Sequence, residues 1–128
     1  MSTAAEWHRS LGGVALSRVL FDPIPGSATV QDVIRFVDGD EKRLVELVNG
    51  TLVEKPAGLR ESVIASHVIH ALGTVAALDR LGFISGEAGT ITMRNGNVRM
   101  PDVAFFRRED LPGGKLPPKP APRLAPAV

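Results

Sequence analysis

The amino-acid sequence predicts an α+β fold in which one long helix packs on a small, mostly antiparallel sheet. An Asn-Gly pair between two apolar runs predicts a β-hairpin, residues 60–81 carry apolar side chains at helical spacing, and residues 98–106 alternate as in a strand. The chain has 128 residues, of which 44% are hydrophobic. One domain with a real core is therefore expected.

The composition excludes several classes of site. Cysteine is absent, which rules out disulfides, thiol nucleophiles and cysteine metal sites. The net charge of +1 favours no particular partner, so a nucleic-acid surface would have to be a local basic patch. No run approaches the roughly 20 apolar residues of a membrane span, and no signal-peptide pattern opens the chain. We therefore expect a cytoplasmic protein that does not enter a membrane.

Three parts follow one another along the chain. Residues 1–28 lack a sustained period and are predicted to form an arm with a short apolar anchor at 14–21. The domain covers residues 29–111 and begins with a short helix, which Thr29 caps and which ends near residues 38–39. Residues 112–128 alternate prolines with basic residues and predict an extended tail.

The Asn49-Gly50 pair is the strongest local signal, because a type I′ turn needs positive φ at both central residues. A two-residue loop pairs Val48 with Thr51 and places Glu46 opposite Val53. Glu46 is then a carboxylate on an apolar face. Two interpretations of Glu46 are open: it binds a metal, or it is an edge-strand acid whose carboxylate lies in water.

The helix predicted at residues 60–81 carries one apolar stripe and ends at Gly82. His67 and His70 lie beside this stripe, where ordinary helix histidines are favoured over a shared metal. Short strands at 83–85 and 90–93 and a tight turn at 94–97 follow. The stripe consists of Ile64, Val68, Ala71, Leu72, Val75 and Leu78.

Asp102 is the first functional candidate, because a period of two makes it the only charge on one face of the strand at 98–106. An unpaired buried carboxylate costs several kcal/mol, so a cation, a metal or several hydrogen bonds should accompany it. The alternative is a structural aspartate that caps a turn or pairs with Arg99 or Arg94. Among the nearby arginines, Arg107, Arg108 and Arg99 are the candidate nucleic-acid contacts.

These segments resemble the Uma2 family, a branch of the restriction-endonuclease-like superfamily that is named for its PD-(D/E)xK motif. The matching pieces are residues 45–54, the long helix after them and residues 98–105. The resemblance implies an αβββαβ core in which acids bind Mg²⁺ for hydrolysis of DNA phosphodiesters. It makes Asp102 the central metal ligand and catalytic aspartate, and Glu46 an additional metal-binding, catalytic acid.

Relatives of this kind continue with a strand that carries a Glu and a helix that carries a Lys. We therefore expect a partial core, truncated before that half of the site, with weak or absent nuclease activity. Glu109 and Lys115 are poor substitutes, because they lie six residues apart in a loop that contains Gly and Pro. Lys55 shares a hairpin face with Glu46, but is more typical of a solvated lysine.

A second function remains open beside the nuclease. The chain would then be a non-enzymatic remnant or binding module with an exposed sheet edge. Such an edge recruits another strand or a second copy of the chain, so a homo-oligomer is expected in that case.

Overall fold

The computed structural model describes residues 3–39, 43–56, 58–75, 80–86 and 89–116. The chain forms two compact units. Unit 1 comprises Met1–Pro56 and Asn95–Val98, and unit 2 comprises Ala57–Arg94 and Arg99–Val128. Each unit is described by itself below.

Within the described ranges the elements are short and of both kinds, which confirms the predicted α+β class with small antiparallel sheets. The α-helices are α1 (Ala4–Ser10), α2 (Val30–Asp38) and α3 (Leu59–Gly73). The strands are β1 (Val45–Val48), β2 (Thr51–Glu54), β3 (Gly82–Ser85), β4 (Ile91–Thr92), β5 (Val98–Arg99) and β6 (Ala104–Arg107).

The β1–β2 hairpin of unit 1 has the predicted turn and register. Asn49 and Gly50 both have positive φ, 49° and 73°, as a type I′ turn requires. Val48 pairs with Thr51 and Glu46 with Val53, so the predicted pairing is confirmed. On its other side β1 pairs antiparallel with β5 through Leu47 and Val98.

Apolar side chains cover both faces of this hairpin. On one face Val45, Leu47 and Leu52 pack with Ala28, Val33 and Val98. On the other, Val48 and Val53 pack with Leu11 and Val19. The segment before Thr29 thus supplies three buried residues to unit 1, and its Leu20 amide also donates to the Leu52 carbonyl at 2.9 Å.

Helix α2 begins and ends where the sequence predicts. Thr29 is its N-cap, and the Thr29 amide donates to the Asp32 carboxylate at 2.7 Å. This capping box satisfies donors that the first helical turn leaves without partners. Asp32 is buried and also pairs with Arg35. The helix ends at Asp38, and Gly39 follows as C-cap.

In unit 2, β3 and β6 form a two-stranded antiparallel ribbon. Phe83 faces Phe106, and Ser85 faces Ala104. Four buried residues form the apolar cluster beside the ribbon, with Phe83 and Met93 packed against it. These four are Ile91, Ala104, Phe106 and Leu111.

Most of the apolar stripe predicted on α3 is exposed, with Leu72 half-buried, which corrects the expectation that the stripe packs on the sheet. The exposed fractions are 55% for Ile64, 42% for Val68 and 49% for Val75, while Leu78 lies outside the described residues. Ala65 is buried, and Ile69 is half-buried on the same face. Periodicity identifies residues that share a face, but it does not say which face the rest of the chain covers.

Two predicted boundaries are also wrong. The strand expected at 98–106 is interrupted, because β5 ends at Arg99 and β6 begins at Ala104. Pro101 lies in the gap and lacks the N–H that a strand ladder needs. Helix α3 ends at Gly73. Residues 80–81 are helical again, and Gly82 follows them as the first residue of β3. Of the predicted tail, Pro112–Gly114 forms a 3-10 turn, and residues 117–128 lie outside the described ranges.

Candidate functional site

Asp102 lies in a bend between β5 and β6, and its side chain is exposed. The prediction that it lies on a buried strand face is therefore wrong. The cause is the break at Pro101, because a period-two alternation holds only along a continuous strand. Exposure has a chemical consequence: a cation or a phosphate from solution can reach this carboxylate without crossing the core.

Glu46 occupies the second position of β1 in unit 1. Its neighbours Val45 and Leu47 are buried, whereas Glu46 itself is half-buried opposite Val53. The strand holds its backbone through the ladder to β2, and the Lys55 amide closes the open end of the hairpin by donating to the Leu44 carbonyl at 2.8 Å. Glu46 is thus a carboxylate on a well-supported strand.

A cluster of several possible metal ligands is not found in the part of the chain that is described. There, no group of three or more His, Asp or Glu side chains is placed to hold a metal ion. His67 and His70 are both exposed on α3. His8 lies in unit 1, where its Nε2 contacts the Val14 carbonyl oxygen at 2.5 Å.

Arg107, a predicted phosphate contact, is engaged by two neighbouring acids. Its Nε donates to the Asp110 carboxylate at 2.8 Å, and its Nη1 lies 2.8 Å from Glu109. The hydrogen bond to Asp110 raises the pKa of Arg107 above its usual value, and the charges of Asp110 and Glu109 add to this. Arg107 therefore meets an anion only in competition with these carboxylates.

Arg108 contacts an aromatic ring and a backbone carbonyl. Its guanidinium carbon lies 4.4 Å from the centroid of the Phe83 ring, a cation–π contact, and Nη1 is 3.5 Å from the Gly114 carbonyl. The aromatic face and the carbonyl fix the plane of the guanidinium. Arg99, the third predicted contact, is exposed on β5.

A shallow, open hollow of about 360 Å³ lies in unit 2 beside these arginines. Sequence reasoning found Arg107 and Arg108 from their place at the end of a strand, but it missed Arg80, Leu81 and Phe105. The sequence signal that could have pointed to Arg80 and Leu81 is a basic residue followed by an apolar residue just before Gly82. The hollow is lined by Arg80, Leu81, Phe105, Arg107, Arg108 and Glu109.

Comparison with known proteins agrees with the sequence pattern. A family model, Uma2, described as "Putative restriction endonuclease", matches residues 30–125, which is more than half of the chain. Searches of curated proteins and of solved structures gave no match. In the described part of the chain, no helix combines the length and the apolar character that crossing a bilayer requires.

Proposed function

Because the chain belongs to the Uma2 family of restriction-endonuclease-like proteins, we propose that it is a nuclease domain that uses Mg²⁺ to hydrolyse DNA phosphodiesters. Asp102 carries this proposal. It follows Pro101 within the matched region, and the bend between β5 and β6 presents its carboxylate to solvent.

The chemistry of Asp102 supports the proposal of a divalent cation. Carboxylate oxygens are the hard ligands that Mg²⁺ prefers, and the exposed Asp102 leaves room for the waters that this ion keeps. Bound Mg²⁺ would stabilise charge on the phosphoryl oxygens and lower the pKa of a water molecule. We assign Asp102 as a metal ligand. Glu46, held on β1 by its ladder to β2, is proposed separately as a further catalytic acid.

The arginines of unit 2 have a positioning role in this proposal. Arg108 is oriented by Phe83, and Arg99 is exposed on β5, so both suit contacts with DNA phosphates. Arg107 reaches a phosphate only in competition with Glu109 and Asp110. Phosphate contacts fix where the backbone lies relative to a carboxylate, whereas they carry no base sequence.

Calorimetric titration of Mg²⁺ and Mn²⁺, with plasmid nicking on the same samples, tests this function. We compare wild type with Asp102→Ala and with the control Asp38→Ala, which removes an exposed carboxylate at the end of α2. Metal binding and nicking that Asp102→Ala abolishes and Asp38→Ala retains would support the proposal. Folded wild type that neither binds metal nor nicks DNA would contradict it.

A second candidate function rests on the ribbon of unit 2. Among the described strands, β3 pairs with β6 alone in its sheet. Two-stranded ribbons have outer edges that accept a further strand from a partner or a second copy. A non-enzymatic module of this kind would self-associate with rising concentration in sedimentation velocity and would not nick DNA. A monomer at all concentrations would argue against self-association.

A further inference from the structure

The hollow of unit 2 combines two chemistries in one place. Leu81 and Phe105 supply apolar surface, and Leu81 is 55% exposed. Arg80, Arg107 and Arg108 supply guanidinium groups against the single carboxylate of Glu109, so the lining is net positive. Its volume of about 360 Å³ lies at the small end of the range of about 300–1,000 Å³ for ligand pockets.

We propose that this hollow binds one unpaired nucleotide of a single-stranded DNA segment, with the base on Leu81 and Phe105 and the phosphate on Arg80 and Arg108. The proposal rests on the nuclease function above and names the form of DNA that the domain prefers. An apolar surface beside arginines matches a ligand that is a flat ring joined to an anion.

The apolar residues of the hollow, Leu81 and Phe105, select for single strands. In a duplex the base faces are stacked on each other, so only base edges and the backbone reach a protein surface, and Leu81 and Phe105 would have no base face to contact. An unpaired base offers its face to an aromatic ring, and this stacking tolerates any base. A preference for single-stranded over duplex DNA therefore follows from the apolar residues and not from the charge.

The rim separates the arginines by role. Arg107 is held by Glu109 at 2.8 Å and by Asp110 at 2.8 Å, so its charge is largely balanced within the protein. Arg108 is oriented by the Phe83 ring at 4.4 Å, and Arg80 is exposed. We assign Arg80 and Arg108 to the phosphate, since both line the hollow beside Leu81 and Phe105.

Fluorescence anisotropy with a labelled 12-nucleotide single strand and its duplex tests the hollow. EDTA is present throughout, so that cleavage does not enter the measurement. Wild type should bind the single strand more tightly. Phe105→Leu keeps apolar volume and removes the ring, and should weaken single-strand binding by about 5- to 100-fold with little change for the duplex.

Variants at two exposed positions test the hollow independently of any folding defect in Phe105→Leu. Leu81→Ala should also weaken single-strand binding and leave its salt dependence unchanged. Arg80→Gln should lower the slope of log affinity against log salt by about 0.7, the value of one phosphate contact on a single strand. The control is Arg60→Gln, an exposed arginine of α3 that does not line the hollow and should bind as wild type.

The outcomes separate this inference from the nuclease proposal. Phe105→Leu and Leu81→Ala variants that bind both DNA forms as wild type does, or that lose both equally, would overturn the single-strand subsite. Metal-dependent nicking could still be intact in that case. Conversely, hollow-dependent binding in a protein that never nicks DNA would uphold the subsite and contradict the nuclease.

Discussion

The guanidinium of Arg107 contacts Glu109 and Asp110, two carboxylates within three residues of it in the sequence. A count of basic residues does not reveal such local pairing, because it includes each arginine whether or not a neighbouring carboxylate balances its charge. The pKa of Arg107 is raised, mainly through the hydrogen bond to Asp110. Arg107 is therefore charged throughout the neutral range, and its charge is lost only when the pH rises through that raised value.

Asp110→Asn should therefore release part of the charge of Arg107 for DNA. We expect duplex affinity to rise by up to about fivefold, as for the loss of one exposed ion pair. The salt slope should steepen by up to about 0.9, the value of one further phosphate contact. Anisotropy titrations at several salt concentrations measure both. Because Arg107 stays charged across the neutral range, the gain should not vary there with pH.

The control for this variant is Asp38→Asn, which changes the net charge equally but lies in unit 1. An equal gain in both variants would mean that overall charge, and not the pairing of Arg107, governs DNA binding.

Asp32 and Glu6 allow a buried and an exposed capping box to be compared. The Thr29 amide donates to Asp32 at 2.7 Å, and the Thr3 amide donates to Glu6 at 2.7 Å. Asp32→Ala should lower the free energy of unfolding by about 1–2 kcal/mol, because a part-buried hydrogen bond loses its buried acceptor. Glu6→Ala should cost about 0.5 kcal/mol, since water replaces the acceptor there. Urea unfolding measures the difference, and equal costs would show that burial of the cap is unimportant.

At the scale of elements, the turns of unit 1 provide a matched test of glycine. Gly50 has φ of 73°, and a Cβ there would lie 2.7 Å from the Gly26 carbonyl oxygen. Gly96 has φ of 87° and no atom within 4 Å of such a Cβ. Both Gly→Ala variants incur the left-handed strain of about 1–2 kcal/mol, but only Gly50→Ala adds a steric contact.

Gly50→Ala should therefore destabilise unit 1 clearly more than Gly96→Ala, as measured by the midpoint of urea unfolding. The same midpoint for both variants would mean that the 26–27 backbone moves away without cost. In that case the hydrogen bond from the Gly26 amide to the Gly50 carbonyl, 2.8 Å long, contributes little to the hairpin.

Elements that are specified within a few residues could be predicted from the sequence. The Asn49-Gly50 turn and the Thr29 cap depend on φ preferences and on hydrogen bonds over three residues, and both were found correctly. The prediction that Asp102 lies within a strand was wrong, because the strand is interrupted at Pro101. The hollow could not be predicted, because its Arg80 and Phe105 meet only after the chain folds.

At the scale of the whole molecule, buried apolar contacts are distributed unevenly. The β1–β2 hairpin is covered on both faces, and five residues between Val45 and Val53 are buried hydrophobics. Helix α3 has 15 residues, of which Ala65 alone is buried. Free energies of local opening follow such differences in burial, so the two segments should not open together.

Amide hydrogen exchange should therefore be slowest in the hairpin and much faster in α3, where opening exposes little additional apolar surface. Mass spectrometry of peptides from each segment, at two protein concentrations, measures this. Exchange in α3 that slows further as the concentration rises would mean that another copy of the chain covers Ile64 and Val68 in solution. Slow exchange at both concentrations would contradict the burial argument itself, because α3 would then be protected without a partner and with its apolar stripe open to water.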